Sequence, residues 1–230
     1  MDETREALEF DVLFVGGGPA NLAGAIHLMN MAQKAGKEIE ICLIEKAESI
    51  GSRSLSGAIL DPMALQELMP DYLAKGCPIE QPKCIDEFYY LTPTGKFRIP
   101  YTPSYMHNSG CHIISLSKFC VWLGELAEEL GVMVFPGFAG TEVLYEPDSD
   151  RVIGIRTGDK GIDKDGSKRS NFEPGVDLMA KITVFGEGPQ GSLLREIGKR
   201  LGEQPRGILP ASRVADQVLH ALTSKRPNVS

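Results

Sequence analysis

The residues best suited to chemistry lie near the start of the chain, in "DVLFVGGGPANLAGAIHLMN", residues 11–30. Gly16 permits a tight turn out of a strand, and Gly18 lets the backbone approach a pyrophosphate closely. Pro19 and Ala20 then open a helix, whose N-terminus offers unpaired N–H groups and a partial positive charge to phosphates. The G-x-G-x-x-G pattern is broken at its third position by Asn21. That position serves mainly helix–strand packing, so Asn21 is expected to be absorbed by a small shift of the helix. Glu45 follows 27 residues after Gly18, placed to accept hydrogen bonds from the ribose 2′- and 3′-hydroxyls, with Lys46 beside it. Together these features predict a dinucleotide site. The local motif does not distinguish FAD from NAD.

The elements needed to position such a site are legible. Phe10–Val15 is a compact apolar run that suits a buried parallel strand. Ala20–Lys34 reads as a helix ended by Gly36, and Ile39–Ile44 as the next strand. Asp61 and Pro62 open a short helix as N-cap and first helical residue. Phe88–Leu91 and Lys96–Ile99 form a hairpin. Ser117 is expected to cap an amphipathic helix stopped by Gly131, with Phe119 and Trp122 in the core. Strands follow at Val132–Phe135, Thr141–Tyr145, Val152–Arg156 and Leu178–Phe185. Between the last two, residues 158–175 read as a polar, glycine-rich surface excursion. Ser192 is expected to cap the final helix. A long insertion after Glu45, then a late strand running into Gly186-Glu187-Gly188, is the plan of glutathione-reductase-type flavoproteins and favours FAD over NAD.

Bulk properties exclude other classes. The chain has 230 residues, 42% hydrophobic, with a net charge of -7. Without a basic cluster, nucleic acid is not an expected partner. No apolar run reaches 18 residues, so no membrane-spanning helix is expected. The acidic start, Met1–Glu9, resembles neither a signal nor a transit peptide. It reads as a bacterial cytoplasmic product, although a mature organellar chain would look similar. The five cysteines (Cys42, Cys77, Cys84, Cys111, Cys120) lack C-x-x-C spacing and read as reduced thiols, not as metal or cluster ligands. Asp159, Asp163 and Asp165 lack the twelfth-position glutamate of a calcium loop. His107 and His112 read as loop histidines, with a polar role near flavin or quinone as the alternative.

Several stretches in this order, "GGGPANLAGAIHL", "LSGAILDP", "WLGELAEELGV", "FPGFAGTEVLYE", "GDKGIDKDG" and "ITVFGEGPQGSL", resemble the N-terminal flavin domain of the electron transfer flavoprotein–ubiquinone oxidoreductases. The resemblance covers roughly residues 8–200. It implies an α/β fold: an incomplete glutathione-reductase-like, Rossmann-type FAD-binding domain over residues 8–202, with β-hairpin insertions. Residues 86–116 would be an inserted segment from the quinone and membrane side, and 203–230 a divergent tail. It further implies FAD that passes electrons from electron transfer flavoprotein to ubiquinone. Gly16 and Gly18 would contact the pyrophosphate and Glu45 the ribose. Ser56 and Gly57 would pass near the flavin, Ala139 would lie in the strand lining the adenine, and Gly188 would return near the phosphates. The family's [4Fe–4S] cluster has no ligands in this chain. Residues 97–106, "FRIPYTPSYM", could dip into lipid as a loop, placing the protein at the cytoplasmic face of a bacterial inner membrane or in the cytoplasm.

The resemblance has departures at Asn21, at Pro189-Gln190, where the family has Cys and a basic residue, and at His107–His112. After Gly202 it fades, and Arg206, Arg213, Lys225 and Arg226 outnumber Glu203 and Asp216. A truncated form is therefore expected, one that does not reduce ubiquinone by itself. The alternatives are another flavin reductase or monooxygenase of the superfamily, such as a geranylgeranyl reductase, or an inactive nucleotide-binding remnant.

Overall fold

The computed structural model describes residues 5–55, 57–163, 165–188 and 191–202. In chain order the elements are β1 (Ala7–Val15), α1 (Pro19–Lys34), β2 (Ile41–Glu45), β3 (Ala58–Leu60), α2 (Pro62–Leu68), β4 (Ile79–Gln81), β5 (Phe88–Thr92), β6 (Gly95–Ile99), a 3-10 turn at Ser104–Met106 and β7 (His112–Ile114). Then follow α3 (Leu116–Glu129), β8 (Met133–Pro136), β9 (Gly140–Tyr145), β10 (Val152–Thr157), β11 (Lys160–Ile162), β12 (Lys168–Glu173), β13 (Asp177–Phe185) and α4 (Ser192–Leu201).

Six strands form the main sheet in the order β8-β2-β1-β13-β10-β9. The first four run parallel, with Val12 opposite Ile41 and Ile182. β10 and β9 add an antiparallel hairpin at the far edge. Alternation along the central strands divides the core into two layers. Val12 and Phe14 of β1, and Ile41 and Leu43 of β2, face α1 and α3. Leu13 and Val15, with Cys42 and Ile44, face the other side, where Val143, Ile155 and Leu193 of α4 pack. A buried parallel sheet needs cover on both faces, and its central strands therefore read as continuous apolar runs.

A small antiparallel sheet, β3-β7-β4, closes over the α1–α3 side. Asp61 caps α2 by accepting from the Met63 N–H at 3.0 Å. Two expectations about helix starts are corrected. Ser115, not Ser117, is the N-cap of α3, and its hydroxyl accepts from the Lys118 N–H. Ser117 is the second residue of the helix, where its carbonyl backs closely onto Gly51. At α4 Gly191 is the N-cap and Ser192 makes no cap bond. The Glu187 carboxylate does that work, accepting from the Leu194 N–H at 3.0 Å and, more weakly, from Leu193 N and Ser192 Oγ. The excursion at 158–175 is also more regular than expected, since β11 and β12 pair within it.

The hairpin of β5 and β6 stands as a separate two-stranded ribbon. Its Leu91 and Phe97, and Tyr105 beyond it, are largely exposed, at 73%, 66% and 82%. Residues 97–106 are thus a strand end followed by a 3-10 turn, not a loop throughout. Phe119 and Trp122 are core residues as expected, and the Trp122 indole N–H donates to the Lys75 carbonyl at 2.9 Å. No described helix is long and apolar enough to cross a membrane.

Candidate functional site

A cleft of about 430 Å³ opens where β1, β2 and β13 end, bounded by Gly16, Gly17, Gly18, Glu45, Lys46 and Gly188 among others. Strand order reverses here: β1 connects through α1 to β2 on one side, while β13 returns on the other. Such a switch point at the C-terminal ends of parallel strands is where open α/β sheets bind ligands.

The three glycines of the turn do different work. Gly16 has φ +107°, and a Cβ there would lie 2.6 Å from the Gly186 carbonyl oxygen. Both conformation and the neighbouring strand exclude a side chain. Gly17 is buried, and its Cβ would lie 2.6 Å from Ile50 Cδ1 and 2.9 Å from Glu45 Cβ. Gly18 has an ordinary extended conformation, φ -79° and ψ 167°, and a Cβ there would meet nothing within 4 Å. The open space at this glycine, which lines the cleft, is what a phosphate would fill. No side chain caps α1, and Pro19 at its first position has no N–H to offer. The other first-turn N–H groups are left for a ligand or water. Pro19 itself lines a separate apolar cavity with Ala23 and His27, and Ala20 is exposed on the first turn.

Asn21 is more than a packing change. It is buried, and its side-chain amide donates to the carbonyls of Val15 at 3.0 Å and Gly16 at 2.8 Å. The Val15 carbonyl also accepts from Gly186 N at 2.9 Å. Asn21 therefore fastens the helix to the glycine turn and to the end of β13. It occupies the space beside Gly186 that a side chain on Gly186 would need. The expected helix shift is replaced by a specific pair of bonds.

Glu45 is half-buried, and both its oxygens already accept backbone hydrogen bonds, Oε2 from Gly17 N at 2.7 Å and Oε1 from Ala47 N at 2.8 Å. A carboxylate has about four lone-pair sites, so each oxygen retains room for a hydroxyl donor. Lys46 and Arg53, both exposed, add positive charge to the cleft. Ala139 lines the cleft from the connection between β8 and β9, not from within a strand as expected, and its carbonyl accepts from Gly158 N. Gly188 has φ +78° and also lines the cleft. Gly57 is exposed and outside this lining, and Ser56 falls outside the described residues, as do Pro189 and Gln190. Sequence reasoning missed Gly17, Arg53 and Glu187. Arg53 had no signal beyond its charge, and the other two depend on contacts distant in sequence.

The remaining polar candidates have structural partners. His112 bonds Tyr72 Oη and the Pro82 carbonyl, each at 2.9 Å, and His107 bonds the Thr102 carbonyl. Asp159 pairs with Arg5, Asp163 with Arg169, and Asp165 accepts from Ser167. Among the described residues, no group of three or more His, Cys, Asp or Glu is placed to hold a metal ion. Taken together, the open phosphate position, the uncapped helix, the carboxylate at the β2 end and the two cations fit a dinucleotide such as FAD.

No family model matches the chain. It is 49% identical over 191 residues to the mitochondrial electron transfer flavoprotein-ubiquinone oxidoreductase of Dictyostelium discoideum, covering 83% of this chain and 31% of the relative. The mouse enzyme is 47% identical over 197 residues, 85% of this chain and 32% of the relative. A probable enzyme of this name from Acinetobacter baylyi is 45% identical over 201 residues, 86% and 34%. In fold, the chain is similar to a geranylgeranyl bacteriochlorophyll reductase-like protein from Thermoplasma acidophilum, with a TM-score of 0.56 at 23% identity over 82% of this chain and 42% of that one. It is also similar to a flavin-dependent monooxygenase solved with FAD and substrate, with a TM-score of 0.53 at 16% identity over 87% and 33%. These two likenesses establish the Rossmann-type fold of FAD-dependent oxidoreductases and no more. By sequence the chain is similar to the electron transfer flavoprotein–ubiquinone oxidoreductases, and it spans about a third of the length of the curated relatives it matches.

Proposed function

We propose that the chain is the FAD-holding portion of an oxidoreductase that passes electrons from electron transfer flavoprotein to ubiquinone, with residues 8–202 as the binding unit. The carrying observation is the open position at Gly18, at an uncapped helix N-terminus and beside Glu45, Lys46 and Arg53. FAD, when bound, supplies the reversible electron transfer. The chain's residues bind and orient it. First-turn N–H groups of α1, with Lys46, would hold the pyrophosphate. Glu45 would accept from the ribose while keeping Gly17 in place. Gly188 would leave the backbone close to the phosphates, and Ala139 would flank the remainder. The fold shared with a geranylgeranyl reductase-like protein adds no support for that activity at 23% identity.

The exposed aromatic ribbon supports peripheral membrane contact through residues 97–106, joined by Leu91. This suits a protein that meets a lipid-soluble quinone at a bacterial inner membrane. The binding proposal is tested by reconstituting the purified chain with FAD, passing it through a desalting column and recording the visible spectrum. A flavin band that travels with the protein supports it. A colourless, folded protein would leave the nucleotide-binding remnant as the better reading.

A further inference from the structure

Two of the five cysteines differ from the others in setting. Cys42, Cys77 and Cys120 are buried, and burial pushes the Cys42 thiol up to about 12 and the Cys77 thiol to about 11. Cys84 and Cys111 are both partly exposed. They lie on two segments that run antiparallel. β4 and β7 pair with Gln81 opposite Ile113. Past the end of β4, the Pro82 carbonyl bonds His112 Nδ1 at 2.9 Å. Further along, the Asp86 carboxylate accepts from the Asn108 backbone N–H at 2.7 Å and from its side-chain amide at 2.8 Å. Cys84 sits between Pro82 and Asp86, and Cys111 between Asn108 and His112. Two ties thus bracket the pair from both sides. The Cys111 N–H is bonded to the Asn108 carbonyl in a turn through Gly110, φ +90°.

We infer that Cys84 and Cys111 form a dithiol–disulfide site, a redox modification site at the base of the exposed aromatic ribbon. Burial, and then the neighbouring Cys111, hold the Cys84 thiol above its ordinary range. Everything from Ile85 to Gly110, including β5, β6 and the Ser104–Met106 turn, lies inside the loop that the bond would close. The oxidant is a small-molecule disulfide such as oxidised glutathione. A Cys84 or Cys111 thiolate attacks it, and one glutathione leaves as thiolate. The second cysteine thiolate then displaces the other glutathione. In all, two thiols lose two electrons and two protons, one S–S bond forms and one breaks. Because the thiolate is the attacking species, the reaction quickens as pH rises towards the raised thiol value.

The test equilibrates the reduced, folded chain with oxidised glutathione, blocks free thiols and digests with trypsin without reduction. Cys84 falls in peptide 84–96 and Cys111 in peptide 99–118, each holding a single cysteine. The expected product is these two peptides joined, lighter by two hydrogens than their sum, and separated by reductant. Its yield should be at least about tenfold higher from folded protein than from protein in concentrated urea, since the fold supplies the effective concentration. Cys84→Ser and Cys111→Ser, both at partly exposed sites, should each abolish it while leaving the circular dichroism spectrum unchanged. Separate glutathione adducts on the two cysteines without the joined peptide would overturn the inference. Equal yields in folded and urea-treated protein would do so as well.

Discussion

Asn21 stands where a third glycine would complete the G-x-G-x-x-G pattern, and its amide bonds two carbonyls of the turn. Asn21→Gly therefore removes two hydrogen bonds, each contributing about 1 kcal/mol. It also places a glycine inside α1, at a further cost of roughly 0.3 kcal/mol relative to asparagine. The summed loss of about 2–3 kcal/mol should lower Tm by roughly 4–12 °C in a domain of this size. An unchanged melting curve would show that these bonds carry no net stability. Restoring the family pattern is thus expected to weaken the protein. The turning role of Gly16 and the open role of Gly18 were readable from the chain, but the need for a small residue at Gly17 was not. That need appears only from the approach of Ile50 and Glu45.

At the scale of elements, β1, α1 and β2 announce themselves because two apolar runs flank a glycine turn, and burial on both sheet faces demands such runs. β11 and β12 gave no such signal: they form an exposed two-stranded ribbon with little apolar surface to pattern. The capping of α4 was misassigned to Ser192 because the group that does it, the Glu187 carboxylate, lies five residues earlier, just past the end of β13. Glu187→Ala should cost about 1 kcal/mol, from the lost cap and the lost negative charge at a helix N-terminus. Urea denaturation should show this as a lower midpoint at constant slope, whereas no shift would remove Glu187 from the capping role. The β5–β6 ribbon carries its own expectation. Leu91, Phe97 and Tyr105, changed together to Ser, should reduce flotation with liposomes several-fold, since aromatic and aliphatic side chains favour the membrane interface. Equal flotation of variant and parent, or none of either, would remove the ribbon from membrane contact.

The whole molecule is acidic, with a net charge of -7, and one ion pair ties its first described residue to the far edge of the fold. Arg5 pairs with Asp159, which also accepts from Gly175 N, and these partners hold the Asp159 carboxyl down at about 2. An unfolded aspartate titrates near about 3.9. The carboxylate's contribution is therefore complete above about pH 4 and disappears as pH falls through about 2. Arg5→Gln should flatten the acid limb of the stability curve over that window, and an identical limb would contradict the pairing. The fold as a whole was legible because the dinucleotide-binding strands are contiguous early in the chain and β13 returns beside them. Arg53 and the latches made by Asn21 and Glu187 were not, because their contacts join separate elements. The central claim is that Gly18 keeps open the space in which FAD places its phosphates. It is tested most directly by titrating FAD calorimetrically into the parent and into Gly18→Val. Gly18 has an ordinary φ and nothing within 4 Å of its Cβ position, so the variant should fold and melt as the parent does. Its affinity for FAD should nevertheless fall by ~100-fold, about 2.7 kcal/mol. Equal FAD affinity in the two folded proteins would contradict the account.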